Sequence, residues 1–282
     1  MKNENVLRCS ILDPTGNITA IVESPVEIAR QPSVAAAIMR RCPEVEQVGF
    51  LRMLPEDGSA QAELRMAGGE FCGNASMSAA MLLQAGKGRK DGETALRLRV
   101  SGASAPVDLL LRPEEDDACL AEIRMPPALG IRETAFTFGE VRGVLPLIGM
   151  EGISHLVVEP ESVFYTLLQD RPAAEEAVRR FCADLGAYGL GLLFLEGKGS
   201  ERSMTPLVYV PGSGTCFWEN SCASGSAAVG MLLASRVGKR EVFVLREPGG
   251  TLRVESDPAG RETLLCGRVR LTQRLEIPEE EL

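Results

Sequence analysis

Two cysteines are the residues of this sequence best placed to do chemistry. Cys72 stands in Glu70-Phe71-Cys72-Gly73-Asn74-Ala75-Ser76, and Cys222 stands in Asn220-Ser221-Cys222-Ala223-Ser224-Gly225-Ser226. With the cysteines superposed, Ser76 falls on Ser226, and Met81-Leu82-Leu83 falls on Met231-Leu232-Leu233. Their separation is about half of the 282-residue chain, so the chain reads as a duplication. A thiol in the same local setting in each half is what two matched acid/base groups facing each other across a cleft require.

The residues around each cysteine predict where it sits. Small and polar residues follow it, then a run rich in Ala, Met and Leu, which are strong helix formers. Each cysteine is therefore expected at the N-terminus of a buried helix, beside unpaired backbone N–H groups and the positive end of the helix dipole. A thiolate there is stabilised, so the cysteine pKa is expected to fall below its free value of about 8.5. The same N–H groups can hold a carboxylate. A lone cysteine is most often a buried structural thiol. The duplication and the small-residue helix starts favour function here.

Composition narrows the function further. With 45% hydrophobic and 24% charged residues, the chain has the make-up of a soluble globular protein. A formal net charge of −9 argues against nucleic acid or an anionic membrane as partner. No apolar run reaches the roughly 18 residues of a membrane span. The N-terminal residues lead into a strand rather than a signal peptide, so a cytoplasmic protein is expected. Eight cysteines without Cys-x-x-Cys spacing, and His155 as the sole histidine, argue against a zinc site. Reduced thiols and no metal are the expectation.

Many short strands around few helices are legible in order. Strands are expected at Val6–Leu12, Ile18–Val22, Glu44–Arg52, Ala62–Met66, Ala95–Val100, Val107–Leu111 and Ala121–Pro127, with a helix over Ser33–Arg41 capped by Ser33. Gly86–Gly92 reads as an exposed turn, and Glu114–Asp117 as a hairpin tip. The second half repeats the pattern. It has strands at Val141–Leu145, His155–Val158, Leu192–Leu195, Pro206–Val210, Glu241–Leu245, Thr251–Val254 and Leu265–Leu271, and a helix over Pro172–Ala187. Glu247-Pro248-Gly249-Gly250 reads as a turn. The expected fold is α+β, with two pseudo-symmetric domains, each a curled and mostly antiparallel sheet around a central helix. Residues 1–130 would form the first, joined by a C-terminal strand near 270–282, and residues 131–272 the second.

Two such thiols suit one reaction. Inverting an amino-acid α-carbon removes a weakly acidic proton from one face and returns a proton to the other; a thiolate and a thiol on opposite faces can do both. The helix N-termini would hold the substrate carboxylate and stabilise the charge that develops. No cofactor is required, and no Gly-x-Gly-x-x-Gly follows a strand. Asn17 reads either as a turn residue or as a side-chain amide lining the cleft.

Gly-Gly-Glu-Phe-Cys72-Gly-Asn and Ser-Cys222-Ala-Ser-Gly-Ser-Ala resemble the two active-site motifs of the diaminopimelate epimerase superfamily, racemases and epimerases that work without pyridoxal phosphate. The resemblance covers nearly the whole chain. Pro-Thr-Gly-Asn17, Glu46-Gln47-Val-Gly-Phe, Tyr-Val-Pro211, Trp218-Glu219-Asn220-Ser-Cys222 and Pro248-Gly-Gly are similar, more narrowly, to histidine racemases of opine-type metallophore biosynthesis. The resemblance implies Cys72 and Cys222 as the acid/base pair, and Gly73, Asn74, Ala223 and Ser224 as the cradle of the substrate carboxylate. It also implies Asn17 and Gln47 as polar lining, and a homodimer. His155 matches a histidine of those enzymes and reads either as a core residue or as a substrate contact. Diaminopimelate epimerases carry a Glu-Arg pair and an upstream asparagine where this sequence has Val210-Pro211 and Met66. Without the distal cation a second substrate carboxylate would be costly to bury. Glu46 and Glu219 offer negative charge that suits an imidazole or amine, while Glu219 can equally be read as a helix cap. Histidine is the leading substrate. Diaminopimelate or another amino acid is the alternative, and so, from other classes, are a phenazine-type isomerase and a non-catalytic amino-acid-binding protein.

Overall fold

Side-chain alternation is what makes most of this chain strand. Thr94–Val100 buries every second residue, with Leu96, Leu98 and Val100 inward and Ala95, Arg97 and Arg99 outward. The computed structural model describes residues 6–55, 58–86 and 92–281. The turn expected over Gly86–Gly92 falls largely outside the described residues. The chain divides into two compact units, Met1–Ile123 with Cys266–Leu282, and Arg124–Leu265.

In the first unit the elements run β1 (Val6–Pro14), β2 (Thr19–Val22), α1 (Gln31–Arg41), β3 (Gln47–Met53), β4 (Ala62–Met66), α2 (Gly73–Gly86), β5 (Thr94–Val100), β6 (Val107–Pro113) and β7 (Ala118–Met125). In the second they run β8 (Gly130–Phe138), β9 (Val141–Gly149), β10 (Ser154–Val158), α3 (Arg171–Leu185), β11 (Leu190–Glu196), β12 (Glu201–Val210), β13 (Thr215–Trp218), α4 (Ala223–Val237), β14 (Glu241–Glu247) and β15 (Gly250–Ser256). The last strand, β16 (Thr263–Pro278), returns most of its length to the first unit.

The two units share a pattern of strand directions. In the first unit β2 and β3 are parallel across α1 and β4 and β5 are parallel across α2, while β1–β2, β3–β4, β5–β6, β6–β7 and β1–β16 are antiparallel. In the second unit β10 and β11 are parallel across α3, and β12 and β14 are parallel across α4. The pairs β9–β10, β11–β12 and β14–β15 are antiparallel. Each parallel pair needs a crossover, and each crossover is one of the four helices. Strands β1 to β7 and β16 close on themselves through β1–β16, giving the first unit an eight-stranded barrel. The second unit adds the hairpin strand β13 on β12 between β12 and α4.

Helices α2 and α4 are the central ones. Helix α2 packs against β1 to β6 and is buried from Gly73 to Gln84, and α4 packs against β9, β10, β14 and β15 with Ala223 to Ala234 buried. A helix apolar all round belongs in a core. Helices α1 and α3 cover the other sheet faces. Val34 and Ile38 of α1 join Cys9, Val22 and Phe50, whereas Val178 and Phe181 of α3 join Leu156, Val158 and Phe194.

Local differences from the expectation have local causes. Helix α1 begins at Gln31, two residues before the expected cap, because Pro32 supplies a pre-set φ for the first turn. The Ser33 hydroxyl donates instead to the Arg30 carbonyl at 2.8 Å. Strands β8 and β13 lie where the residue pattern predicts none, and the strands expected over Leu265–Leu271 and near 270–282 are one continuous strand, β16.

Candidate active site

Cys72 immediately precedes the first residue of α2 and is half-buried. The Ala75 amide donates to its sulfur at 3.4 Å, and the Ser76 amide closes the first helical turn onto the Cys72 carbonyl at 3.1 Å. The thiol donates to Gln47 Oε1 at 2.9 Å. Gln47 opens β3 beside Thr19 on β2, and its amide donates to the Thr19 hydroxyl at 2.8 Å and to Asn17 Oδ1. Asn17 Oδ1 also accepts from Asn74 at 3.0 Å, and the Asn17 amide donates to Glu46 at 2.5 Å. The first unit thus gathers Asn17, Glu46, Gln47, Asn74 and Cys72 into one hydrogen-bonded chain. Asn17 is 1% exposed, so it is a buried amide of this chain. Thr19, which sequence reasoning passed over as a strand residue, is part of it.

Cys222 is the N-cap of α4, with extended backbone (φ −131°, ψ 99°). The Ser226 amide donates to its carbonyl at 2.8 Å, the counterpart of the Ser76 bond in α2. Its sulfur lies 3.6 Å from the Ser224 hydroxyl. Gly225 is required by close approach: a Cβ there would lie 2.9 Å from Leu193 Cδ2 and 3.2 Å from the Cys222 sulfur.

The Cys222 environment overturns one expectation. Burial raises its pKa well above the ordinary 9.0, the charges of Glu219 and Glu247 add to the rise, and the Ser224 hydroxyl and Gly225 amide oppose it. The helix end alone would lower the pKa. A helix N-terminus is worth at most about 2 kcal/mol, whereas full burial shifts a pKa by up to about 3–5 units, so desolvation wins.

One backbone amide at that helix start is already engaged. The Cys222 N–H is bonded to Glu247 Oε2 at 2.7 Å, and the Ser226 hydroxyl donates to Glu247 Oε1 at 2.5 Å. Glu247 is buried, and desolvation lifts its pKa to about 8 against those two hydrogen bonds. It holds the helix start from β14, and the Glu219 amide donates to the Pro206 carbonyl. Glu-Pro-Gly-Gly predicts a turn at Glu247, which is instead the last residue of β14. The signal for burial was present, because Phe243, Leu245 and Glu247 share the inward face of β14.

His155 lies on β10 with both ring nitrogens buried and, among the described residues, without a hydrogen-bond partner. Leu156 and Val158 face α3, so alternation turns His155 to the opposite side, where α4 packs. Desolvation drops its pKa to about 3, so the ring is neutral. Gly191, its neighbour on β11, makes room: a Cβ there would lie 2.2 Å from His155 Nδ1.

Trp218, just before Glu219, is turned into the α3 layer. It stacks on Phe194 with ring centroids 5.7 Å apart, lies under the Arg171 guanidinium and donates to Glu175 at 3.2 Å. These contacts anchor the β13 end from which Glu219, Asn220 and Ser221 lead to Cys222.

Residues 7–274 match the family described as the N-terminal domain of the histidine racemase CntK. The chain is 30% identical over 272 residues to a histidine racemase of Staphylococcus aureus, covering 95% of this chain and 96% of that one. The chain belongs to the histidine racemase family. It is also 29% identical to a histidine racemase of Fusobacterium nucleatum over 79% of this chain and 78% of the other. In fold it resembles the crystal structure of a hydroxyproline epimerase from Agrobacterium vitis, with a TM-score of 0.67 at 14% identity, over 99% of this chain and 94% of that one. The enzyme is therefore an isomerase of the amino-acid racemase type. In this racemase no helix of the described residues is long and apolar enough to cross a membrane.

Proposed function

We propose that the enzyme interconverts L- and D-histidine by a two-base mechanism, with Cys72 and Cys222 as the acid/base groups. The observation that carries this reading is the matched placement of one thiol at the start of each central helix, α2 and α4. One cysteine enters the cycle as thiolate and takes the α-proton; the other, as thiol, delivers its proton to the opposite face of the carbanion. The reverse reaction runs with the two protonation states exchanged, so the pair titrates as a unit. Amides of Gly73 and Asn74, and of Ala223 and Ser224, hold the substrate carboxylate and offset the charge that grows as the proton leaves.

Histidine as substrate is supported by the family and by the charge beside the thiols. Glu219 acts electrostatically on the Cys222 sulfur, and Glu46 is bonded through Asn17 to the Cys72 network. Both suit a substrate whose side chain is an imidazole. A neutral His155 adds a donor or acceptor without adding charge. D-histidine formed here would feed an opine-type metallophore, with the racemase working as a cytoplasmic homodimer; the Trp218-Glu219-Asn220-Ser221-Cys222 block supports this placement. The test is incubation of the protein with single L-amino acids, without pyridoxal phosphate, while optical rotation is followed. Histidine is expected to racemise fastest; turnover of diaminopimelate but not histidine would overturn the substrate.

A further inference from the structure

The first unit carries a basic hollow on a protein whose net charge is −9. A cavity of about 270 Å³ opens beside β4, β5 and the turn after β5, and its lining includes Glu63, Arg65, Arg99, Ser101 and Pro106. Along β4, Ala62, Leu64 and Met66 are fully buried, which leaves Glu63 and Arg65 on the face turned away from α2. Arg99 lies on the same face of β5, between buried Leu98 and Val100. The parallel register sets Glu63 next to Arg99.

The charges there do not balance from within. Glu63 is taken by Arg52 at 2.5 Å. Among the described residues neither Arg65 nor Arg99 has an ion-pair partner, and Arg99 gives one N–H to the Ser59 hydroxyl at 2.8 Å. Among the described residues Arg65 Nε is buried with no acceptor. Leaving a buried guanidinium N–H unsatisfied costs free energy, and such a group asks for an anion. Glu70, the buried carboxyl whose field reaches Arg65, is itself pushed toward its neutral form by desolvation.

We propose that this hollow is a binding site for a small oxyanion, a carboxylate or a phosphate, clamped between Arg65 and Arg99. A planar guanidinium matches such groups bidentately, and two of them make the site selective for a multiply charged ligand. Ser101, in the lining, accepts from the Met66 amide at 2.9 Å and donates to the Glu70 carbonyl at 2.8 Å. An occupant is therefore one hydrogen bond removed from the segment that leads to Cys72.

Calorimetric titration of the purified protein with inorganic phosphate and, separately, with citrate, at constant ionic strength set by chloride, tests the site. Saturable binding of at least one is expected, and the tighter of the two assigns the ligand as phosphate or carboxylate. Arg99→Gln and Arg65→Gln are each expected to weaken it about tenfold or more. Arg99 is exposed, so its variant keeps the test valid if Arg65→Gln disturbs folding. Saturation by neither anion, or unchanged affinity in Arg99→Gln, would overturn the proposal. None of these readouts depends on racemisation.

Discussion

The backbone N–H of Cys222 donates to the carboxyl Oε2 of Glu247 at 2.7 Å. A side chain 25 positions later in the chain, at the end of β14, thereby fixes the N-cap of α4, the residue that carries a candidate catalytic thiol. Replacing Glu247 with Ala strands a buried amide and a buried hydroxyl, each at a cost of about 1–3 kcal/mol. Glu247→Gln keeps an acceptor for the amide and a donor for Ser226, and should lose far less. Urea denaturation of the two variants separates these outcomes; equal stabilities would mean that the hydrogen bonds do not hold the helix start.

Two buried groups give stability a pH dependence of opposite sign. Glu247 binds its proton more tightly when folded, with its pKa moved from 4.5 to about 8. Its contribution is full below the lower value and is lost as pH rises through the upper one. His155 is moved from 6.5 to about 3, so below the ordinary value the unfolded chain binds the extra proton and stability falls with acid. Melting temperature scanned against pH should therefore peak in the mildly acidic range. Glu247→Gln should flatten the alkaline limb and leave the acid limb in place; an unchanged alkaline limb would contradict the assignment.

The two cysteines differ in their surroundings, and reactivity should follow. Cys72 is half-buried and bonded to Gln47, whereas Cys222 is 4% exposed and held as a thiol by its surroundings. Since the thiolate is the nucleophile, iodoacetamide should modify Cys72 well before Cys222 in the ligand-free protein. Peptide mass spectrometry over time reads the order. Gln47→Leu removes an acceptor of the Cys72 thiol and should shift the pH profile of Cys72 alkylation. An unaltered profile would mean that Gln47 does not tune the thiol.

Gly191 is a sensitive packing position. An added Cβ would lie 2.2 Å from His155 Nδ1, on a strand buried on both faces, where the ring has little room to retreat. Overpacking of this kind costs about 1–3 kcal/mol, so Gly191→Ala should lower the melting temperature by several degrees. A stability equal to that of the unmodified protein would show that His155 moves freely.

Much of this architecture is legible from the residues. The alternation of β5 and the all-apolar faces of α2 and α4 follow directly from side-chain type, and the repeat around Cys72 and Cys222 marks the two central helices. The network of Asn17, Gln47 and Asn74 was within reach because amides in small-residue settings stand out. Glu247 was not, because Glu-Pro-Gly-Gly is a turn signal and only the strand period before it shows that the carboxyl points inward. The raised pKa of Cys222 escaped for a related reason. A helix start can be read from neighbours in sequence, while desolvation depends on strands that arrive from elsewhere in the chain. Trp218 reads as a motif residue beside the site; its stacking on Phe194 shows it to be an anchor.

The two-base account is tested most directly by racemisation of L-histidine in D2O, stopped early and resolved by enantiomer. If one cysteine takes the α-proton and a different one returns a solvent-derived deuteron, the D-histidine formed carries deuterium at Cα. The recovered L-histidine keeps its proton, and both Cys72→Ser and Cys222→Ser lose turnover. Equal deuterium in both enantiomers at early times, or turnover that survives in either variant, would contradict it.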